Sequence, residues 1–99
     1  AAAGVEVAEH LADYMLALVE ATRSSADFVL GASTRAAQGL FRAAQAMALC
    51  EGRGFAVPDD VQKVAVDVLG HRVVLRHGGG LEAGRHAIER ILSDVAVPL

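Results

Sequence analysis

Val7, Leu11, Tyr14 and Leu18 recur at i, i+4, i+7 and i+11, which is one stripe of a helix. Met15 and Val19 widen that stripe, and Arg23 falls where a cation suits a helix C-terminus. The pattern predicts a first helix over 7–23. Ser24 and Ser25 break it, and "SSADFVLGAS" reads as a connection, with Phe28, Val29 and Leu30 as a short apolar plug and Gly31 as a turn residue.

A second helix follows, with Ser33 as its N-cap and Gly52 as the residue just past its end. Ala36, Leu40, Ala43 and Met47 form one apolar stripe; Ala37, Phe41, Ala44 and Ala48 form another. A helix apolar over so wide an arc is central to its bundle. Its remaining stripe is polar: Arg35, Gln38, Arg42 and Gln45. Pro58 suits the first turn of a third helix, Asp59 and Asp60 favour its N-terminus, and Val61, Val64, Ala65 and Val68 give it an apolar face as far as about Leu69. "HRVVLR" reads as a short extended piece and "HGGG" as a loop. Ile88, Ile91, Leu92 and Val95 mark a last helix over about 84–94. The reading is a single all-α domain of four helices over 1–99, with Leu18, Leu40, Phe41 and Val64 in its core.

Composition changes this picture in three ways. The chain has 99 residues and is 54% hydrophobic, much of it alanine, so helices should approach closely. Mean hydropathy is +0.38, which reflects either apolar surface meant for a neighbour or the alanine content alone. The net charge of −3 argues against nucleic acid or an anionic membrane as a partner. Cys50 is the one cysteine, which fits a reducing, cytoplasmic setting and reads as a small buried hydrophobe. No apolar run is long enough for a transmembrane helix, and the first ten residues read as the continuation of a longer chain.

Few residues carry chemistry. "HGGG" has the letters of an esterase oxyanion-hole motif, without the G-x-S-x-G elbow that motif requires. His10, His71, His77 and His86 lack metal-ligand spacing, and no G-x-x-x-x-G-K-[ST] phosphate loop occurs. Asp59 and Asp60 are explained by a helix N-terminus. Arg35 is the exception. It lies in the first turn of the second helix, where the dipole disfavours a cation. It is either a solvated surface arginine or a cation presented, with the backbone N–H groups of that turn, to an anion such as phosphate.

"ATR" at Ala21–Arg23, "LGAS-x-R" at Leu30–Arg35, "EGR" at Glu51–Arg53, "PDDV" at Pro58–Val61 and "HR" at His71–Arg72 stand in fixed order. In that order they resemble the C-terminal helical lid of MoxR-type AAA+ ATPases. The likeness covers nearly the whole chain and fades over the last twenty residues, where the family has an acidic, proline-tipped helix start and this chain has "GGGLEAG". Thr34 stands where the family often has proline, and Ala8 where a capping Ser, Thr or Asp is common.

The resemblance implies a small four-helix lid bundle in which Arg35 is the sensor 2 residue. Arg35 would reach the γ-phosphate of ATP, with Ser33 and Gln38 beside it on the nucleotide side. The ATP and its magnesium would be held by the AAA+ core domain of the same protein, so the chain alone would bind neither and would not be an enzyme. Further implied partners are neighbouring subunits of a homo-oligomeric, chaperone-like ring and proteins with von Willebrand factor A domains. A helical protein-interaction module without a nucleotide role is the alternative.

Overall fold

The computed structural model describes residues 4–25, 28–70, 73–75 and 78–98. His71, Arg72 and His77, part of the elements noted above, lie outside them. The architecture is a four-helix bundle with a small two-stranded ribbon at one end: α1 (Glu9–Ser24), β1 (Phe28–Leu30), α2 (Thr34–Cys50), α3 (Pro58–Gly70), β2 (Val74–Leu75) and α4 (Gly80–Asp94).

Helix α1 buries Leu11, Tyr14, Met15, Leu18, Val19 and Thr22, a stripe that returns every three or four residues. It starts at Glu9 rather than Val7, behind Ala8, which offers no side-chain cap. Val7 belongs instead to a leading segment laid along the α2–α3 connection. There the Glu6 N–H donates to the Gly54 carbonyl and the Ala56 N–H to the Glu6 carbonyl, each at 2.9 Å, forming a parallel bridge between Glu6 and Phe55. Gln45 donates its side-chain amide to the Val5 carbonyl at 2.9 Å, so one member of the polar stripe of α2 is spent on holding this segment.

Helix α2 begins as expected. Ser33 is extended, and its hydroxyl accepts the Ala36 N–H at 3.3 Å. It ends in a Schellman arrangement: Gly52 N–H donates to Leu49 carbonyl and Arg53 N–H to Ala48 carbonyl, both at 2.9 Å. Ala36, Leu40, Ala44 and Ala48 are fully buried. These come from both expected stripes, because a seam at i, i+4, i+8 and i+12, alanine at every position but Leu40, lets neighbouring helices close on α2. Phe41 and Val64 are only half-buried, at the margin of the core rather than inside it. Cys50 is exposed, not buried. It lies two residues past Ala48, about 200° round the helix from the buried seam.

Helix α3 buries Val61, Ala65 and Leu69, with Val68 half-buried beside them. Helix α4 starts at Gly80, a turn before the expected 84. Gly78, Gly79 and Gly80 all have positive φ (73°, 101° and 69°), a conformation open to glycine that turns the chain sharply and lets helical bonding begin at once. Ala87, Ile88 and Ile91 bury its apolar face, with Leu92 and Val95 packed at the edge. The ribbon pairs β1 with β2 antiparallel, Phe28 opposite Leu75 and Leu30 opposite Val74. Of the expected extended piece, Val74 and Leu75 form the strand, and the apolar plug is its partner.

Candidate functional site

Two constellations outside the apolar core organise the surface. The first is the α2–α3 connection. Asp60 is fully buried and receives two guanidinium N–H bonds from Arg53 at 2.7 Å each, and a third from the Val57 N–H at 2.7 Å. The Arg53 grip comes first among the causes that hold the Asp60 carboxyl below its ordinary value of 3.8; burial opposes it and the Val57 bond assists. Arg53 also bonds the Phe55 carbonyl at 3.2 Å, so the pair shapes the loop against which the leading segment lies.

A depressed folded-state pKa stabilises the fold fully above the unfolded value, about 3.9, and that contribution is lost as pH falls through the folded value. Asp60→Asn should therefore be less stable than the parent sequence at pH 7, with the gap narrowing below about pH 4. Urea midpoints at pH 7 and pH 3 check this; a gap of equal size at both would show that ionisation of Asp60 contributes nothing.

The second constellation surrounds the N-terminus of α2. Thr22, at the end of α1, is fully buried; its hydroxyl donates to the Val19 carbonyl at 2.6 Å and accepts the Ala32 N–H at 2.9 Å. Arg23 donates Nε–H to the Ala32 carbonyl at 2.8 Å and an η-nitrogen N–H to Glu20 at 2.7 Å. Both polar backbone groups of Ala32 are thus held by consecutive residues of α1. Ser33 follows as the cap, and Arg35 stands in the first turn.

Arg35 is exposed and makes no hydrogen bond or ion pair among the described residues. Arg42, further along the same stripe, is likewise exposed and without such a partner among them. Gln38 is exposed too, so the three residues singled out in the sequence (Ser33, Arg35 and Gln38) are all exposed at the N-terminal end of α2, Arg35 and Gln38 one turn apart. They differ in availability, because the Ser33 oxygen is already engaged by the helix.

Beside them runs a groove of about 410 Å³ between α1 and α2, lined by Ala12, Met15, Leu16, Thr34, Ala37, Gln38, Phe41 and Arg42. Leu16 is 54% exposed within it, a large apolar side chain left open to solvent. Phe41 is thereby explained: it forms a wall of the groove.

No group of three or more potential metal ligands occurs among the described residues, and their helices include none long and apolar enough to cross a membrane. His10 and His86 are exposed, the latter 3.6 Å from both Glu82 and Glu89.

Sequence reasoning missed the Arg53–Asp60 pair because the first turn of a helix already explained the aspartate. It also missed the grip of Thr22 and Arg23 on Ala32. The "ATR" and "LGAS-x-R" elements, seven residues apart in this sequence on either side of the connection, were the available signal.

A family model for the AAA lid domain matches residues 20–93. Chaperone MoxR1 of Mycobacterium tuberculosis is 36% identical over 99 residues, covering 89% of this chain and 26% of that protein. Protein MoxR of Paracoccus denitrificans is 36% identical over 112 residues, covering 96% of this chain and 32% of that protein. A crystal structure of a protein assigned as an ATPase from Cytophaga hutchinsonii superimposes with a TM-score of 0.86 at 35% identity, over 99% of this chain and 33% of that one. The chain spans between about a quarter and a third of the length of these relatives. By its family match, its four-helix architecture and its MoxR relatives, the chain belongs to the AAA lid domain family, as a lid of the MoxR type.

Proposed function

We propose that this domain is the nucleotide-sensing lid of a MoxR-type ATPase and that Arg35 is its sensor 2 residue. In this reading Arg35 reaches the γ-phosphate of an ATP bound, with magnesium, mainly by the core domain of the same protein. Gln38 flanks the contact, and Ser33 acts as the cap that aims it. The observation that carries the reading is the position of Arg35: a cation in the first turn of a helix, exposed, with no partner among the described residues. Such a charge is disfavoured by the dipole, whereas a phosphate at that helix end is favoured by both the dipole and the guanidinium.

The domain alone hydrolyses nothing, for want of a phosphate loop. It works in the cytoplasm, in a homo-oligomeric ring whose neighbouring subunits it touches and whose clients include proteins with von Willebrand factor A domains. A helical interaction module without a nucleotide role is the second reading, favoured by the open apolar groove at Leu16 and Phe41.

A guanidinium–phosphate contact is worth about 1.5–3 kcal/mol before discounting for exposure. Arg35→Ala in the full-length ATPase should therefore lower turnover about tenfold to a hundredfold. Arg35→Lys should recover only part, since it keeps the charge and loses the planar fork. Arg42→Ala is the control and should change turnover less. Steady-state phosphate release at saturating ATP measures all three. Wild-type turnover by Arg35→Ala would remove the sensor assignment and favour the interaction module.

A further inference from the structure

We propose that Thr22 and Arg23 are positioning residues for Arg35, fixing where the first turn of α2 stands relative to the rest of the lid. The proposal rests on the reading that Arg35 meets nucleotide. Its own basis is the geometry at the end of α1.

The Thr22 hydroxyl has one hydrogen to donate and gives it to the Val19 carbonyl, which orients its lone pairs toward the Ala32 N–H. Thr22 is wholly buried, so no water competes for that bond. Arg23 closes the other side of the same residue by donating Nε–H to the Ala32 carbonyl, and its guanidinium is itself held by Glu20. Gly31 packs so tightly beneath that a Cβ there would come within 2.7 Å of Arg23 Cα and 2.8 Å of Arg23 N. Ala32 is 1% exposed. Backbone on both sides of Ala32 is therefore fixed by α1 before the chain reaches Ser33 and then Arg35.

None of this is required to make α2 a helix. Ser33 caps it, and the alanine seam buries it. The clasp sets where the helix begins in space, which is the quantity a phosphate-sensing arginine depends on. A displacement of about 1 Å from productive geometry can cost as much as a hundredfold in rate. The "ATR" and "LGAS-x-R" elements are then one device: the first holds the second.

A double-mutant cycle in the full-length ATPase tests this. Arg23→Ala and Thr22→Val are each made with Arg35 intact and with Arg35→Ala, and kcat and KM for ATP are measured. Thr22→Ser, which keeps the hydroxyl, is the conservative variant. With Arg35 intact, Arg23→Ala and Thr22→Val should each lower kcat several-fold, and Thr22→Ser should restore most of it. In the Arg35→Ala background the same substitutions should change kcat less than twofold, because residues acting through Arg35 have nothing left to position.

Equal losses in both backgrounds, or an unchanged kcat for Arg23→Ala with Arg35 intact, would overturn the proposal while leaving the sensor assignment standing. Failure of the sensor assignment shows separately, as wild-type turnover by the Arg35→Ala single variant, and takes this proposal with it. Should Thr22→Val not fold, Arg23→Ala carries the cycle, since its side chain is 40% exposed and its loss leaves the Thr22–Ala32 bond in place.

Discussion

Leu40→Ala should lower the stability of the domain by about 2–5 kcal/mol. Leu40 is fully buried at the middle of α2, between Ala36 and Ala44 on the same seam. Those neighbours are alanines without side-chain torsions, so they cannot swing into the space that the leucine leaves. Helix α3 packs closely along the same face, so the cavity persists unless the two helices move together. Both considerations place the cost in the upper half of that range. Domains of this size melt roughly 4–8 °C lower per kcal/mol lost, so the midpoint should fall by at least about 14 °C. Thermal unfolding followed by circular dichroism measures it. A midpoint within about 2 °C of the parent sequence, well under the shift expected from 1 kcal/mol, would show that α2 is not the centre of the bundle.

The same seam shows what could be read from the residues alone and where that reading stopped. The ends of α2 were legible, because a capping serine and a terminal glycine act locally. Its buried face was not fully legible. Alanine occupies both candidate stripes, and the pattern of apolar positions cannot say which alanines touch a neighbour. Tertiary packing chose Ala36, Leu40, Ala44 and Ala48 and left Phe41 to the groove.

Helix α4 began early because three glycines in positive φ make a turn that propensity rules read simply as loop. The bridge between Glu6 and Phe55 joins positions distant in sequence, and no local pattern encodes it. Arg35 was legible for the opposite reason. It breaks a local rule, and a residue that contradicts its own helix is where a demand from outside the local structure becomes visible. The clasp that holds its helix in place was not, since Thr22 and Arg23 each fit a helix end without remark.

That clasp leaves no room for a side chain at Gly31. Its φ is not among the positive values of this chain, so the constraint is contact, not backbone conformation. A Cβ on Gly31 would lie 2.7 Å from Arg23 Cα, 2.8 Å from Arg23 N and 2.8 Å from the Thr22 carbonyl carbon. All three are backbone atoms of α1, and none can rotate away as a side chain could. Gly31→Ala must therefore push the connection off the helix, straining both the Ala32 N–H bond to Thr22 and the Arg23 bond to the Ala32 carbonyl.

Overpacking of this kind costs about 1–3 kcal/mol, and a buried N–H left without its acceptor costs about another 1–3 kcal/mol. The two overlap, so a loss of about 2–5 kcal/mol is expected. Gly54→Ala is the matched control: nothing lies within 4 Å of its would-be Cβ, its φ is likewise not positive, and the change should be neutral or stabilising by about 0.4–1 kcal/mol. Parallel urea titrations of the two variants decide the matter. If Gly31→Ala unfolds at the same midpoint as Gly54→Ala, the close approach of Gly31 to α1 carries no energetic weight. If it is destabilised as expected, the proposed role of Arg35 in an ATPase carries a further expectation: kcat of the full-length protein should also fall at temperatures where the variant is fully folded, because the strain is relieved by moving the segment that leads into Arg35.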